Sequence, residues 1–358
     1  MQRSDVLFES WRGRYDDNPR AIAERLRVVR KDLRQAWVLD DGIKVPPGAT
    51  RVRRHSPGYF RELLTARYLV CNDVIPRHYV KGPGVRYLQT WHGTPLKKIG
   101  FDVPNARYAG ASAYHRRLRR DIAAWDFLVS PSPFATGIFR QAFQFDGTVV
   151  ESGYPRNDVL SSPARHGIRD QVRQKLDVTE DVRVVLYAPT WRDDATHASG
   201  SSSCDLDLAE LVRLLAPGTV VLLRLHRLVR KRLTLPPGGL VRDVSDFPDI
   251  AALYLASDVL VTDYSSAMFD FAVTGRPMVF FAHDLEAYRD DVRGLYVDLE
   301  DVAPGPVVRT TAEVAAVLRD LAAVASSHVD DYQAFVEQFC PLDDGGATDR
   351  VITAVFDR

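Results

Sequence analysis

Apolar and polar positions alternate along the chain on two scales. Short apolar runs, AWVLD (36–40), RYLVC (67–71), VRYLQT (85–90), WDFLVS (125–130) and TVVES (148–152), have the length of buried strands. Between them, apolar residues recur at helical spacing over 19–34, 57–66, 109–124 and 132–144. After the polar stretch SSPARHGIRDQVRQKLDVTEDVR (161–183), which itself reads as a connecting helix, a second series follows: VVLYAP, VVLLRL, LVRDV, DVLVTD and MVFFAH. Helices are predicted near 206–215, 249–256, 265–274 and 311–324. Strand and helix in regular alternation predict an α/β chain with mostly parallel sheets. We expect two Rossmann-like domains, 1–165 and 166–358, facing one another across a cleft, the C-terminal helices being candidates to pack back on the first. Ligands are then expected beyond the carboxyl ends of the strands.

Composition supports two full cores: 358 residues exceed what one core usually serves, and 46% are hydrophobic. Cys71, Cys204 and Cys340 are far apart and fit neither a disulfide framework nor a zinc site, so a reducing cytoplasm is the expected location. The N-terminus has no apolar core of a signal peptide, and no run approaches the ~18–20 apolar residues of a spanning helix. Membrane association is therefore expected only as a peripheral contact. Net charge is zero but unevenly placed. Residues 1–160 carry 27 Lys+Arg against 16 Asp+Glu, a surplus of eleven, and the remaining 20 against 31 give a deficit of eleven. The first half either meets something anionic or presents a solvated basic surface. YHRRLRRDIAAW (114–125) is similarly open between a basic amphipathic helix at the inner membrane face and an exposed helix.

Four places could carry chemistry. In YLQTWHGTPLKKIG (87–100) a strand ends at His92-Gly93-Thr94-Pro95, where the histidine is either a general base or only a polar residue capping the strand, and Gly93 allows close approach. In DVLVTDYSSAMFDFAVTGRP (258–277) a strand runs into Asp263, Tyr264, Ser265 and Ser266 before a helical pattern. Those serines either cap the helix or help its N-terminus hold an anion. Asp270, one turn on, either accepts bonds from ligand hydroxyls or is an exposed helical carboxylate. Arg224 and His226 in LRLH lie two residues apart at a strand end and suit a diphosphate, or are solvated basic residues. In LYAPTWRDD, Pro189-Thr190-Trp191-Arg192 form a turn directly after a strand; Arg192 is a candidate phosphate ligand and Trp191 a candidate for the cleft wall, and nothing in the tetrapeptide alone compels either. No carboxylate cluster has metal-ligand spacing, so no divalent ion is required.

Taken in order, FESWRGRYDDNPRAI, TWHGTPLKKIGFD, SPSPFATGIF, ESGYPRND, LYAPTWR, LRLH and VTDYSSAMFDFAVTGRPMVFF resemble the CDP-glycerol glycerophosphotransferase family, which builds teichoic acids and related capsule polymers. The resemblance runs from Phe8 to about Tyr296. It implies a fold of the glycosyltransferase-B type with a CDP-polyol donor in the cleft. No cofactor is expected. The matching positions are His92, Gly93, Thr94, Pro95, Leu96, Arg224, His226, Ser265, Ser266 and Asp270, with Asn157, Thr190 and Arg192 as additions; His92 and His226 are the implied essential pair. One departure is that Arg227 follows His226 where the family usually has proline. The family's longer polymerases carry an N-terminal extension, so a compact enzyme, a primase-like member and an excised domain all remain open.

The implied reaction is attack of an acceptor hydroxyl, deprotonated by His92, on the β-phosphorus of CDP-glycerol or another CDP-polyol, with release of CMP. Arg224, His226 and the Ser265-Ser266 helix start would neutralise the diphosphate. The acceptor is expected to be an anionic polymer or lipid-linked primer; nucleic acid is not expected. A nucleotide-sugar glycosyltransferase of the same fold and an inactive polymer-binding homologue are the alternatives.

Overall fold

The structure, a computed structural model, describes residues 4–76, 79–103, 111–190, 205–225, 234–287 and 294–357. It divides into two compact units. The first comprises Met1–Thr94, Ile99–Asp158 and Pro341–Arg358; the second comprises Pro95–Lys98 and Val159–Cys340.

In the first unit, β1 (Val6–Glu9), β2 (Gln35–Val38), β3 (Ala49–Val52), β4 (Tyr68–Cys71), β5 (Arg86–Gln89), β6 (Phe127–Ser130) and β7 (Thr148–Glu151) form one sheet in the order β3-β2-β1-β4-β5-β6-β7. Every pairing is parallel. Helices α1 (Asp17–Val29), α2 (Pro57–Thr65), α3 (Ala111–Ile122) and α4 (Pro133–Phe143) connect them. Ser56 and Ser132 cap α2 and α4 by accepting from Tyr59 N and Ala135 N, and each helix begins with proline, whose missing N–H costs nothing there. Two strands escape the sequence pattern. β1 is a four-residue run too short to show a period, and β3 lies at the sheet edge with Thr50 and Arg51 turned to solvent.

The sheet buries both faces. Tyr59, Leu63, Tyr87, Leu118, Phe139 and Phe143 pack on one side, and Ile22, Leu26, Trp37, Tyr68 and the C-terminal helix Ala347–Phe356 on the other. That helix contributes Val351, Ile352, Val355 and Phe356, the last with its ring 4.6 Å from that of Tyr68. Its first turn is capped by a residue distant in sequence: Asp158 accepts from Ala347 N at 2.9 Å and Thr348 N at 2.8 Å. Arg350 donates to Ser152 O. Gly153, at φ 81°, lets the chain pass so close that a Cβ would lie 2.5 Å from Leu342 O.

The second unit repeats the architecture. β8 (Arg183–Tyr187), β9 (Thr219–Leu223), β10 (Val241–Asp243), β11 (Val259–Thr262), β12 (Met278–Phe281) and β13 (Val307–Val308) form a parallel sheet ordered β10-β9-β8-β11-β12-β13. The two-residue β13 is again an edge strand. The helical pattern expected over 311–324 is interrupted at Asp320, which ends Thr311–Arg319 and caps Leu321–Ser327.

Gly153→Ala forces a side chain into the left-handed region and against a backbone carbonyl that side-chain motion cannot relieve. We expect it to lower stability by roughly 1–3 kcal/mol, read as a lower thermal midpoint of the full chain; an unchanged midpoint would contradict the close approach.

Candidate active site

In each sheet the strand order reverses direction at one place, between β1 and β4 in the first and between β8 and β11 in the second. Helices leave such a switch point on opposite faces, so the loops beyond its carboxyl ends part and make room for a ligand. Of the expected site residues that are described, all but Asn157, which follows the edge strand β7, lie beyond strands at or beside these two points.

In the first unit, Ser10-Trp11-Arg12 follow β1, Asn72-Asp73 follow β4, and Thr90-Trp91-His92 follow β5. His92 Nδ1 lies 2.7 Å from the backbone oxygen of Asn72. A carbonyl can only accept, so Nδ1 carries the proton and Nε2 of the neutral ring keeps its lone pair. The imidazole stacks on Trp91, with centroids 4.3 Å apart, and meets Trp11 at 4.6 Å. Burial lowers the His92 pKa below its ordinary value of 6.5, against the raising influences of the Asn72 hydrogen bond and of Asp17 and Asp73.

A polar network holds this ring in place. Trp11 N donates to Asn72 Oδ1 and the Trp11 indole to Asp17 Oδ2. Asn72 Nδ2 donates to Ser10 Oγ and Asp17 Oδ2. Arg156 Nη1 donates to both Asp17 Oδ1 at 2.8 Å and His92 O at 2.9 Å, in an ion pair whose side chains are only 11% and 9% exposed. Asn18 donates to Thr90 O and Trp91 O. Burial pushes the Asp16 carboxyl up to about 6 despite the bond it accepts from Ser10 Oγ. Trp11, Arg12, Asp17 and Trp91 all have positive φ, between 44° and 65°. Four non-glycine residues in the left-handed region around one histidine is strain of the kind that persists at functional sites. Trp11, Asp17, Asn72 and Arg156 were not among the expected site residues, although SWRGRYDDNPR and GYPRND contain three of them; no spacing rule joins these segments, since only the β1-β4-β5 order brings them together.

The HGTPL segment passes from one unit to the other. Gly93 and Thr94 are buried in the first. Pro95–Lys98 belongs to the second, where Leu96 O accepts from Tyr296 N and Lys98 N donates to Gly294 O. Asn157 lies in the first unit, 2% exposed, donating to Asp343 Oδ1.

At the second unit's switch point Thr190 N donates to Asp263 Oδ1 at 2.8 Å, joining the ends of β8 and β11, and Lys97 Nζ donates to Thr190 Oγ1 at 3.2 Å. The serine pair differs from a simple double cap. Ser266 occupies the N-cap position of helix Ala267–Ala272 with no side-chain cap bond, whereas Ser265 Oγ accepts from Ala267 N at 3.3 Å. Asp270 is 5% exposed, which rules out the exposed-carboxylate reading. Arg224 Nη1 donates to Val244 O and Phe247 O, fixing the side chain along the loop after β10. His226 and Arg192 lie outside the described residues.

Comparison with known proteins joins these observations. Residues 1–357 match the model of the family CDP-Glycerol:Poly(glycerophosphate) glycerophosphotransferase. The chain belongs to this family. It is 38% identical over 99% of its length to the teichoic acid poly(glycerol phosphate) polymerase of Bacillus subtilis, of which it spans about half (49%). It is also 38% identical, over 98% of its length, to the teichoic acid glycerol-phosphate transferase of Staphylococcus aureus, covering 92% of that protein. Among solved structures it superposes on the wall teichoic acid polymerase TagF with a TM-score of 0.92 and 35% identity, covering all of this chain and 89% of the other. That polymerase has also been solved as a histidine-to-asparagine variant soaked with CDPG and as a histidine-to-alanine variant. At 14% identity and a TM-score of 0.51, the glycosyltransferase WaaG shares the fold alone. The expected family and α/β fold class are thus borne out. Among the described residues, no helix is long and apolar enough to cross a membrane.

The depressed His92 pKa has a definite consequence for this family member. Between the ordinary value and the folded value the unfolded chain binds a proton that the folded site refuses, so the His92 contribution to stability falls as pH drops through that window. Followed by NMR, the His92 ring should titrate below 6.5, and Trp11→Ala, which opens one side of the ring to water, should move the midpoint upward. A midpoint at or above 6.5 in the unmutated protein would contradict the burial argument.

Proposed function

We propose that the chain transfers glycerol phosphate from CDP-glycerol to a hydroxyl of a teichoic-acid-type polymer or lipid-linked primer, releasing CMP. The observation that carries this reading is the neutral His92 ring, with Nδ1 committed to Asn72 O and Nε2 left as a base. His92 Nε2 takes the hydroxyl proton as the acceptor oxygen forms a bond to the donor β-phosphorus. The bond from that phosphorus to the oxygen of CMP breaks, and CMP leaves with the electron pair. Because such transfer depends mainly on positioning and charge, fixed donors and cations suffice to speed it.

The second unit takes the donor in this scheme. Thr190, Arg224, Ser265, Ser266 and Asp270 all follow strands β8, β9 and β11, where an α/β sheet receives a nucleotide. His226 and Arg192 are assigned the diphosphate, and Asn157 a supporting place in the first unit. The chemistry is written without a cofactor or divalent ion, and peripheral contact with the cytoplasmic face of the membrane would present a lipid-linked acceptor.

Purified protein incubated with a CDP-polyol panel and a primer should release CMP with CDP-glycerol and lengthen the primer by glycerol phosphate, as read by nucleotide chromatography and product mass. His92→Gln should reduce kcat/KM by about 10²–10⁴ with CDP-glycerol affinity retained. The acidic limb of kcat/KM should fall below 6.5, following the lowered His92 pKa. Release of no CMP from any donor, or of a nucleoside diphosphate from a nucleotide sugar, would sink the proposal.

A further inference from the structure

The first unit carries a cavity of about 530 Å3 whose walls include Arg12, Arg54, His55, Arg116, Arg117 and Arg120. Phe60, Pro76 and Ala113 complete the described lining, and no carboxylate belongs to it. Two of the guanidiniums are neutralised from behind, Arg12 by Asp73 and Arg54 by Glu9, each at 2.7 Å. Neither Arg116 nor Arg117 forms an ion pair with a carboxylate among the described residues. Arg117 Nη2 donates to Val74 O, but its buried Nε has no hydrogen-bond partner. An unsatisfied buried donor of that kind is destabilising, and an anion in the cavity would satisfy it. His55 stands in the same wall at φ 61°.

We infer that this cavity is an acceptor subsite that seats a phosphodiester of the growing glycerol phosphate chain. The inference rests on the transfer reading above and adds where the acceptor lies. Two covalent neighbours tie the cavity to the base. Arg12 follows Trp11, whose ring covers His92, and Asp73, the partner of Arg12, follows Asn72, whose carbonyl holds His92. In a glycerol phosphate chain the terminal hydroxyl is three carbons from a phosphodiester, so a base for that hydroxyl and a seat for that phosphate must be neighbours. Guanidinium forks match phosphate oxygens in pairs, and arginine supplies every full cation of the described lining.

A lipid surface would use α3 differently. A helix that docks on a membrane needs its apolar side free. Here that side is occupied: Leu118 is fully buried and Ile122 is 9% exposed, both within the first unit's core. Asp121 further pins α3 by accepting from the Trp125 indole and from Ile75 N. Arg116, Arg117 and Arg120 therefore project from a helix already committed to the protein, which favours a soluble polyanion.

The test needs no donor and no turnover. Calorimetry with a synthetic glycerol phosphate tetramer should give an affinity for the Arg116→Gln/Arg120→Gln protein about tenfold weaker than for the unmutated one, the size of shift expected on losing exposed charge-assisted contacts. Affinity for CDP-glycerol should be unchanged, and Arg116→Lys/Arg120→Lys should recover part of the loss; an unchanged melting temperature certifies the fold. Unchanged tetramer affinity in the glutamine variant overturns the proposal, and if binding to phosphatidylglycerol vesicles is lost instead, the cavity belongs to a membrane face. Tetramer binding that depends on these arginines in a protein releasing no CMP would uphold the subsite while defeating the transfer reading.

Discussion

The hydrogen bond from His92 Nδ1 to the Asn72 carbonyl is the constraint on which the first unit's site depends. It decides which nitrogen is protonated, and the decision comes from a backbone atom that cannot titrate. The carbonyl is placed by β4 and the histidine by β5, two adjacent parallel strands in register from Tyr68 and Arg86 onward. The fold therefore delivers the tautomer, and side chains only refine it. A ring held by a carboxylate would instead gain basicity from its partner's charge. With a neutral partner and two indoles around it, the ring is a weaker base than a free imidazole.

That arrangement is expensive. Trp11, Arg12, Asp17 and Trp91 each occupy a backbone region that costs of order 1 kcal/mol or more for a side-chain-bearing residue. Asp17 and Arg156 form a desolvated ion pair, whose attraction offsets the loss of water only when the remaining donors are also used. Most are: Asp17 accepts from Trp11, Asn72, Asn18 and Arg156, and Arg156 Nη1 also reaches the carbonyl of His92, although the buried Arg156 Nε has no hydrogen-bond partner among the described residues. Strained residues and the buried pair thus satisfy each other's polar groups, so removing one member exposes the cost of the rest.

Much of the fold was legible because parallel strands covered on both faces appear as unbroken apolar runs. Segments such as RYLVC and MVFFAH needed no partner to be recognised. The strands that escaped were short or at edges, where β3 turns Thr50 and Arg51 outward and β13 has two residues. His92 was legible from its place at the end of such a run. Its partners were not, because Asp17, Asn72 and Arg156 lie 55 and 139 positions apart along the chain when counted from Asp17, and only the strand order makes them neighbours. The serine pair shows the converse: the residues were recognisable, but which hydroxyl serves the backbone depends on Ser266 adopting helical φ and ψ.

The first unit is closed by residues that follow the whole of the second. Val351, Ile352, Val355 and Phe356 fill one side of a sheet whose seven strands are complete by Glu151. During synthesis, the second unit, ending at Cys340, has its whole sequence available before the first does. The sheet that carries His92 must wait with Tyr68 and its neighbours uncovered until helix Ala347–Phe356 has been made. A histidine whose environment is set by burial would thus mature only after the sequence of the second unit is complete, and until then the sheet presents a sticky apolar face for chaperones and proteases to find.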